Sequence, residues 1–337
     1  MQKIFAAFTT TLTLIFTLTG LLSYSFNTWA ENSSPGARAL SEGKLKEAED
    51  YFIEKLNEPG LRNESLIALS RIYLEKGSTE TAITYIEQAL LLEPTTAEEL
   101  LLLGDIYCNQ AQKSSVFSAL KLAKKCIAQY DAAVIAEPDN VDATISALRF
   151  NFEAPAIAGG SEKRGKELLE KLKTLSPESA DTYTVIRLNA NGKINDAVTL
   201  ADELAKKNFQ SERNQYEIAH FYRDKKQYTK AGVLFENLLS RPINDKNRWY
   251  VNDSLLQAGE LVLIEGKDLK RSVELLEKYK QKNNNPNDIH YFWSSWSLAK
   301  AYKATGKQDK YQELVQKIKS ENYKKDSAFT KEFEAAI

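Results

Sequence analysis

Asn63–Pro94 reads NESLIALSRIYLEKGSTETAITYIEQALLLEP, and its spacing decides the fold. Leu66, Leu69, Ile72 and Tyr73 recur at helical intervals, Gly77 interrupts them, and Ala82, Ile83, Ile86, Ala89 and Leu90 form a second apolar stripe that stops at Glu93-Pro94. Apolar residues three and four apart mark one face of a helix, and two such runs parted by glycine make a helical hairpin. Small Ala82 and Ala89 let antiparallel helices approach closely, Leu and Tyr fill the seam with a following hairpin, and proline cannot continue the second helix. One hairpin cannot bury both its faces, so it has to stack on others.

Copies of the unit are present at a spacing of 34 residues: Gly43 precedes Gly77, Ala48 precedes Ala82, Leu69 precedes Leu103, Tyr73 precedes Tyr107, and Ala197 precedes Ala231. A period of that size is too long for a helix face and too short for a domain, so it marks a supersecondary unit in a solenoid.

With Leu66, Leu69, Tyr73, Gly77, Ala82, Ala89 and Pro94 in one unit, and Leu100, Leu103, Gly104, Tyr107, Tyr130, Ala133 and Pro138 in the next, the chain resembles the tetratricopeptide repeat family. The resemblance implies an all-α fold, a right-handed superhelical solenoid of antiparallel helix pairs. It says little about chemistry, because a scaffold of this kind hosts many functions.

The register extends outward. Gly36, Ala48 and Phe52 mark a degenerate first repeat; Arg149 to Pro177 gives a fourth; Tyr183 to Leu204, with Gly192 and Ala197, a fifth; and Ile218, Ala219, Tyr222, Ala231, Phe235 and Leu238 a sixth. Leu255, Ala258, Gly259, Gly266 and Leu276 carry a seventh, and Leu298, Ala299, Tyr302, Gly306 and Ile318 an eighth. The expected organisation is a signal peptide over 1–30, a solenoid of about seven to eight repeats over 31–322, and a capping helix over 323–337. Asp326 can cap that helix, with Phe329, Phe333 and Ala336 on its apolar face.

Two repeats are long. Pro94 to Pro138 is 44 residues, with the surplus near 112–122, and Pro138 to Pro177 is 39, with the surplus at 154–160. Insertions in repeat arrays go to turns on one rim, so the two extended turns are expected to pack together through Phe117, Leu120, Pro155 and Ile157.

The formal net charge is −1, and −2 without Lys3. No basic field exists to attract nucleic acid or to hold the chain on an anionic membrane. Lys3 precedes an uncharged stretch from Ile4 to Phe26, and Thr28 and Ala30 fit an A-x-A-like cleavage site, so export with cleavage after Ala30, to the periplasm, is expected. The competing reading is an uncleaved inner-membrane anchor formed by residues 4–26, the only case in which the membrane is a partner.

Cys108 and Cys126 lie on the two helices of the third hairpin. An oxidising compartment favours a disulfide between them, whereas the extended turn could leave them a helical turn out of step, as two small buried hydrophobes. Catalytic chemistry is scarce. His220 and His290 sit on separate repeats, no G-x-S-x-G or H-E-x-x-H occurs, and the expectation is no enzyme, no metal and no cofactor. His220 with Glu217 and Asp224 reads as a solvated, charge-paired face. Gly159-Gly160-Ser161 lacks the lysine and strand of a phosphate loop, and reads as a tight turn with Ser161 capping the next helix.

Mapping the family's concave groove onto this register implies Arg71, Asp105, Arg149, Tyr216, His220, Arg223, Trp296, Lys300 and Lys303 as partner-binding residues. Arginine and aromatic residues are the types that dominate interfaces. Trp249 reads as seam packing, and Trp296 equally as seam or groove. The expected function is a non-enzymatic scaffold or adaptor that binds a protein or extended peptide; the alternative is a glycan or cell-wall polymer on an aromatic-lined groove.

Overall fold

The computed structural model describes residues 34–92, 95–112, 114–244, 247–283 and 290–337. The expected leader, its cleavage point and Pro94 lie outside them. Among the described residues there are seventeen α-helices, two short 3-10 turns and no strand. They pair in order: α1 (Pro35–Ser41) with α2 (Leu45–Lys55), α3 (Arg62–Glu75) with α4 (Thr79–Ala89), α5 (Ala97–Gln112) with α6 (Val116–Ala136), and α7 (Val141–Glu153) with α8 (Glu162–Leu175). The second half continues with α9 (Pro177–Ala190) and α10 (Ile194–Ala205), α11 (Glu212–Asp224) and α12 (Tyr228–Leu239), α13 (Arg248–Glu265) and α14 (Leu269–Lys282), and α15 (Tyr291–Ala304) and α16 (Gln308–Ser320). A last helix, α17 (Ser327–Ala336), follows. First helices of successive hairpins also touch, α3 with α5, α5 with α7, α9 with α11, α11 with α13 and α13 with α15, which makes them the inner layer of an all-α superhelix.

The sequence period has a physical meaning at each turn. Gly77 adopts φ +77°, and Gly43, Gly192, Gly266 and Gly306 are likewise left-handed; in the sixth hairpin Lys226 takes that conformation instead, at φ 57°. Within each hairpin the small residues are sealed: Ala48, Ala82, Ala197 and Ala231 are fully buried between helices. We expect Ala231→Leu to cost about 1–3 kcal/mol by overpacking this seam. By contrast, Lys206→Ala at an exposed position should cost less than about 0.5 kcal/mol. Chemical denaturation of the two variants checks this; equal midpoints would show the register to be wrong.

Polar side chains tie each hairpin to the next at nearly the same interval. Asn63 donates to Glu99 at 2.7 Å, Asn214 to Glu178 at 2.8 Å, Arg271 to Glu236 at 2.8 Å and Ser297 to Glu260 at 2.7 Å, with separations of 36, 36, 35 and 37 residues. Polar groups paired across the seam in this way hold neighbouring repeats in register.

The surplus residues depart from expectation. Those near 112–122 are not an extended turn: α6 is 21 residues long and begins at Val116, so most of the surplus lengthens a helix. A helix satisfies its own backbone groups, which a long loop over the same span would have to leave to water. Residues 154–160 do form a compact turn, with a 3-10 segment at Ala156–Ala158 and Gly159 at φ 106°. This turn packs on α6, where Ile127 lies against Gly159. Phe117 and Ile157 do not cover one another; they are 88 % and 68 % exposed. Ser161 Oγ accepts from Arg164 N at 3.2 Å, so the Gly-Gly-Ser segment is a turn and helix cap.

At the far end, Asp326 accepts from the amides of Ala328 and Phe329 at 2.9 and 3.0 Å and caps α17. Phe329 and Phe333 are fully buried against α15, and Trp293 and Trp296 pack edge-on to them. No helix among the described residues is long and apolar enough to cross a membrane.

Candidate functional site

The inner layer carries the groove residues implied by the family resemblance, and most of them are already bonded to the neighbouring hairpin. Arg71 pairs with Glu98 at 2.8 Å, Tyr216 donates to Asp253 at 2.6 Å, and Arg223 bonds Gln257 and pairs with Glu260 at 2.8 Å. Trp296 is 3 % exposed, with its indole N–H on Glu332 at 3.1 Å, so its faces are not presented to a ligand. Lys300 pairs with the same Glu332 at 3.2 Å, and Lys303 is exposed with its ammonium 5.2 Å from the Tyr311 ring. Trp296 takes the seam position of its two expected ones, whereas Trp249 departs from the expected seam packing. Trp249 is 60 % exposed, in edge contact with the rings of Tyr216 and Tyr250.

His220 does not belong to a solvated face. Its ring lies 4.4 Å from Tyr216 and 5.2 Å from Phe235, Nε2 has no hydrogen-bond partner, and burial lowers its pKa, which keeps the imidazole neutral. Glu217 reaches away from it, across the interior.

Of the nine groove positions, Asp105 and Arg149 meet in one pocket of about 640 Å³ on the concave side. Its walls come from α5, α6, α7, the 154–158 turn, and, from across the superhelix, Arg213 of α11 and Tyr250 of α13. Both long repeats contribute: Gln112 and Ala123 flank one surplus segment, and Ala154, Pro155 and Ala158 belong to the other. Two ion pairs bridge α7 to α11, skipping a hairpin. Arg149 reaches Glu217 at 3.3 Å over 68 residues, twice the repeat period, and Arg213 reaches Asp142 at 3.1 Å. Arg213 Nε also donates to the Tyr250 hydroxyl at 2.7 Å.

Asp105 accepts from the Tyr130 hydroxyl at 2.6 Å and is exposed to the groove. The surrounding walls displace bulk water, which raises its pKa against the opposing pull of the Tyr130 hydrogen bond and of Arg213, Arg71 and Arg149. Glu217 is raised for the same reason, opposed by Arg149 and Arg213. Cys108 lines this pocket and is disulfide-bonded to Cys126, with α-carbons 5.4 Å apart, so the longer hairpin leaves the two helices in step. Among the described residues no group of three or more His, Cys, Asp or Glu is placed to hold a metal ion.

A third long-range link closes the array. Arg248, the first residue of α13, forms a bidentate pair with Glu75 at the end of α3, 173 residues away. Close by, Gly43 lies against Lys282 at the end of α14, and the Lys282 ammonium also acts on Glu42. The superhelix thus comes back on itself, the first two hairpins meeting the seventh.

Arg213, Glu153 and Tyr250 were absent from the expected groove set. Arg213 and Tyr250 sit in the first turns of their helices, outside the turns that the family register selects, and only the winding of the array brings them to α7.

Residues 64–96 match the family model described as Tetratricopeptide repeat. No curated protein matches the chain in sequence. In fold it is similar to yeast Tom70, with a TM-score of 0.55 and 16 % identity over 88 % of this chain and 59 % of Tom70. It is also similar to a tetratricopeptide repeat protein from Parabacteroides merdae (TM-score 0.46, 14 % identity, 79 % of this chain and 95 % of that one). A third similar structure is PilF of Pseudomonas aeruginosa (TM-score 0.42, 16 % identity, 82 % and 97 %). Helical hairpins at a 34-residue period, stacked into a superhelix with a matching repeat model, make this chain a tetratricopeptide repeat solenoid.

Proposed function

We propose that this chain is an exported, non-enzymatic adaptor that binds a protein or extended peptide on the concave side of its solenoid. The observation that carries this reading is the groove pocket, which draws its walls from the third, fourth, sixth and seventh hairpins and so exists only in the assembled array. An exposed tryptophan at 60 % stands beside the pocket's Tyr250, and aromatic anchors of that kind dominate protein recognition. The Cys108–Cys126 bridge supports export, since disulfides persist in oxidising compartments, and periplasmic release after Ala30 accounts for the apolar leader. A catalytic role finds no support in the pocket: its arginines and Asp105 are held by neighbouring side chains, and its lining includes no histidine.

The test is a pull-down from the exported fraction with the wild-type chain, Trp249→Ala and Lys206→Ala. The same partner should be recovered by wild type and Lys206→Ala, and Trp249→Ala should retain about a tenth or less of it. Removing a ring so exposed should move stability by less than about 0.5 kcal/mol, so lost capture would report binding rather than folding. Equal recovery by all three variants would refute the groove; recovery of a polysaccharide in place of a protein would move the assignment to the glycan class.

A further inference from the structure

We propose that the pocket around Asp105 seats an organic cation, the ammonium or guanidinium end of a lysine or arginine side chain carried by the bound peptide. This deepens the peptide-groove reading and rests on it.

The charge inventory of the interior carries the inference. Three guanidinium groups, those of Arg71, Arg149 and Arg213, face five carboxylates, those of Glu98, Asp105, Asp142, Glu153 and Glu217. Every arginine already holds a carboxylate: Glu98 on Arg71, Glu217 and Glu153 on Arg149, and Asp142 on Arg213. Asp105 forms no ion pair among the described residues; its hydrogen bond comes from the neutral Tyr130 phenol, and it is open to the groove. An anionic ligand would have to compete with a resident carboxylate at whichever of these guanidinium groups it met. A cation would complete a pair that the fold leaves half made.

The walls suit the stem and head of such a side chain. Tyr130, Phe150 and Tyr250 contribute aromatic rings to the pocket, and Ile145, Ala123 and Pro155 contribute apolar surface. Aromatic faces attract an ammonium or guanidinium group, while the methylene stem of lysine or arginine buries readily along apolar contacts. The Tyr250 hydroxyl accepts from Arg213 Nε at 2.7 Å, which fixes its ring at the pocket wall. A carboxylate in partly dehydrated surroundings binds a cation more strongly than one at a flat surface.

The experiment is a fluorescence titration of the full chain with a dansyl-labelled trilysine peptide, the same peptide with acetylated lysines, and spermidine as unlabelled competitor. The lysine peptide should bind at least about tenfold more tightly than its acetylated form, and Asp105→Asn should remove about that factor, because a charge-assisted bond is lost. Tyr130→Phe, which deletes the phenol but keeps the carboxylate, should retain binding within about threefold. Asp105→Glu provides a second variant that keeps the charge, and Glu80→Gln, at an exposed position on α4, should have no effect. Asp105-dependent binding of spermidine, read by calorimetry, with no binding of the trilysine peptide would keep the cation seat and overturn the peptide groove. Peptide binding indifferent to both acetylation and Asp105→Asn would overturn the seat and leave the groove reading intact.

Discussion

Gly160→Ala is expected to destabilise the fourth hairpin by about 3 kcal/mol or more, among the largest effects of any single methyl group in this chain. A β-carbon built at Gly160 lies 1.8 Å from the carbonyl oxygen of Ala154 and 2.7 Å from its carbonyl carbon, so the obstacle is backbone rather than a side chain that can turn away. The turn holds its shape through Ser161 N donating to Asn151 O at 3.0 Å and Gly160 N to Pro155 O at 3.3 Å, and any shift that relieves the clash breaks these bonds. Gly165→Ala provides the contrast. Its β-carbon meets the Phe152 ring at 2.5 Å, and a ring can rotate, at the expense of the Arg187 guanidinium stacked 4.2 Å above it. Chemical denaturation with hydrogen exchange over α7 and α8 measures both variants. An unfolding midpoint for Gly160→Ala equal to that of wild type would contradict the geometry of this turn.

Phe333→Ala should cost about 3–5 kcal/mol, felt almost wholly in the last hairpin. Phe333 is fully buried and packs on Trp296, Tyr323 and Phe329 at ring separations of 5.2, 5.3 and 5.4 Å. Repeats of a solenoid draw stability from their nearest neighbours, so a damaged cap frays the array from that end rather than unfolding it in one step. Amide exchange in α15 to α17 should accelerate while α3 to α6 keep their protection, and indole emission from Trp293 and Trp296 should shift to the red as water reaches the rings. Uniform loss of protection along the chain would mean that the array unfolds as a single unit.

The groove positions implied by the family resemblance are physically those of the inner layer, yet the fold spends most of them on itself. Arg71, Tyr216 and Arg223 hold neighbouring hairpins together, as does Trp296 through Glu332, and Asp105 stands apart as an exposed charge without an ionic partner among the described residues. The surrounding walls keep bulk water from Glu217 and Asp105 and raise both carboxyl groups above their ordinary values, so acidification acts on them before it acts on fully solvated acids.

Residues in one repeat and the next were legible in the chain itself. Gly77, Ala82, Ala231 and Asp326 each state a local requirement: a left-handed turn, a close helix contact, a capped first turn. Such requirements involve neighbours within a few residues or one period, where residue type and spacing are enough. The length of α6 was not legible, because Val116–Leu122 carries no capping or apolar pattern that separates helix from loop, and its first residues remain exposed in the fold. Trp249 and Trp296 share a residue type and a helical setting, and only the placement of α17 buries the second and leaves the first in the open. The links that define the pocket lie further off still. Arg149–Glu217, Asp142–Arg213 and Glu75–Arg248 depend on small rotations accumulated over two to five hairpins, and no spacing rule carries that sum. Sequence alone determined the repeating unit and how it stacks; the winding of the whole array decided which inner side chains meet and which carboxylate forms no ion pair among the described residues.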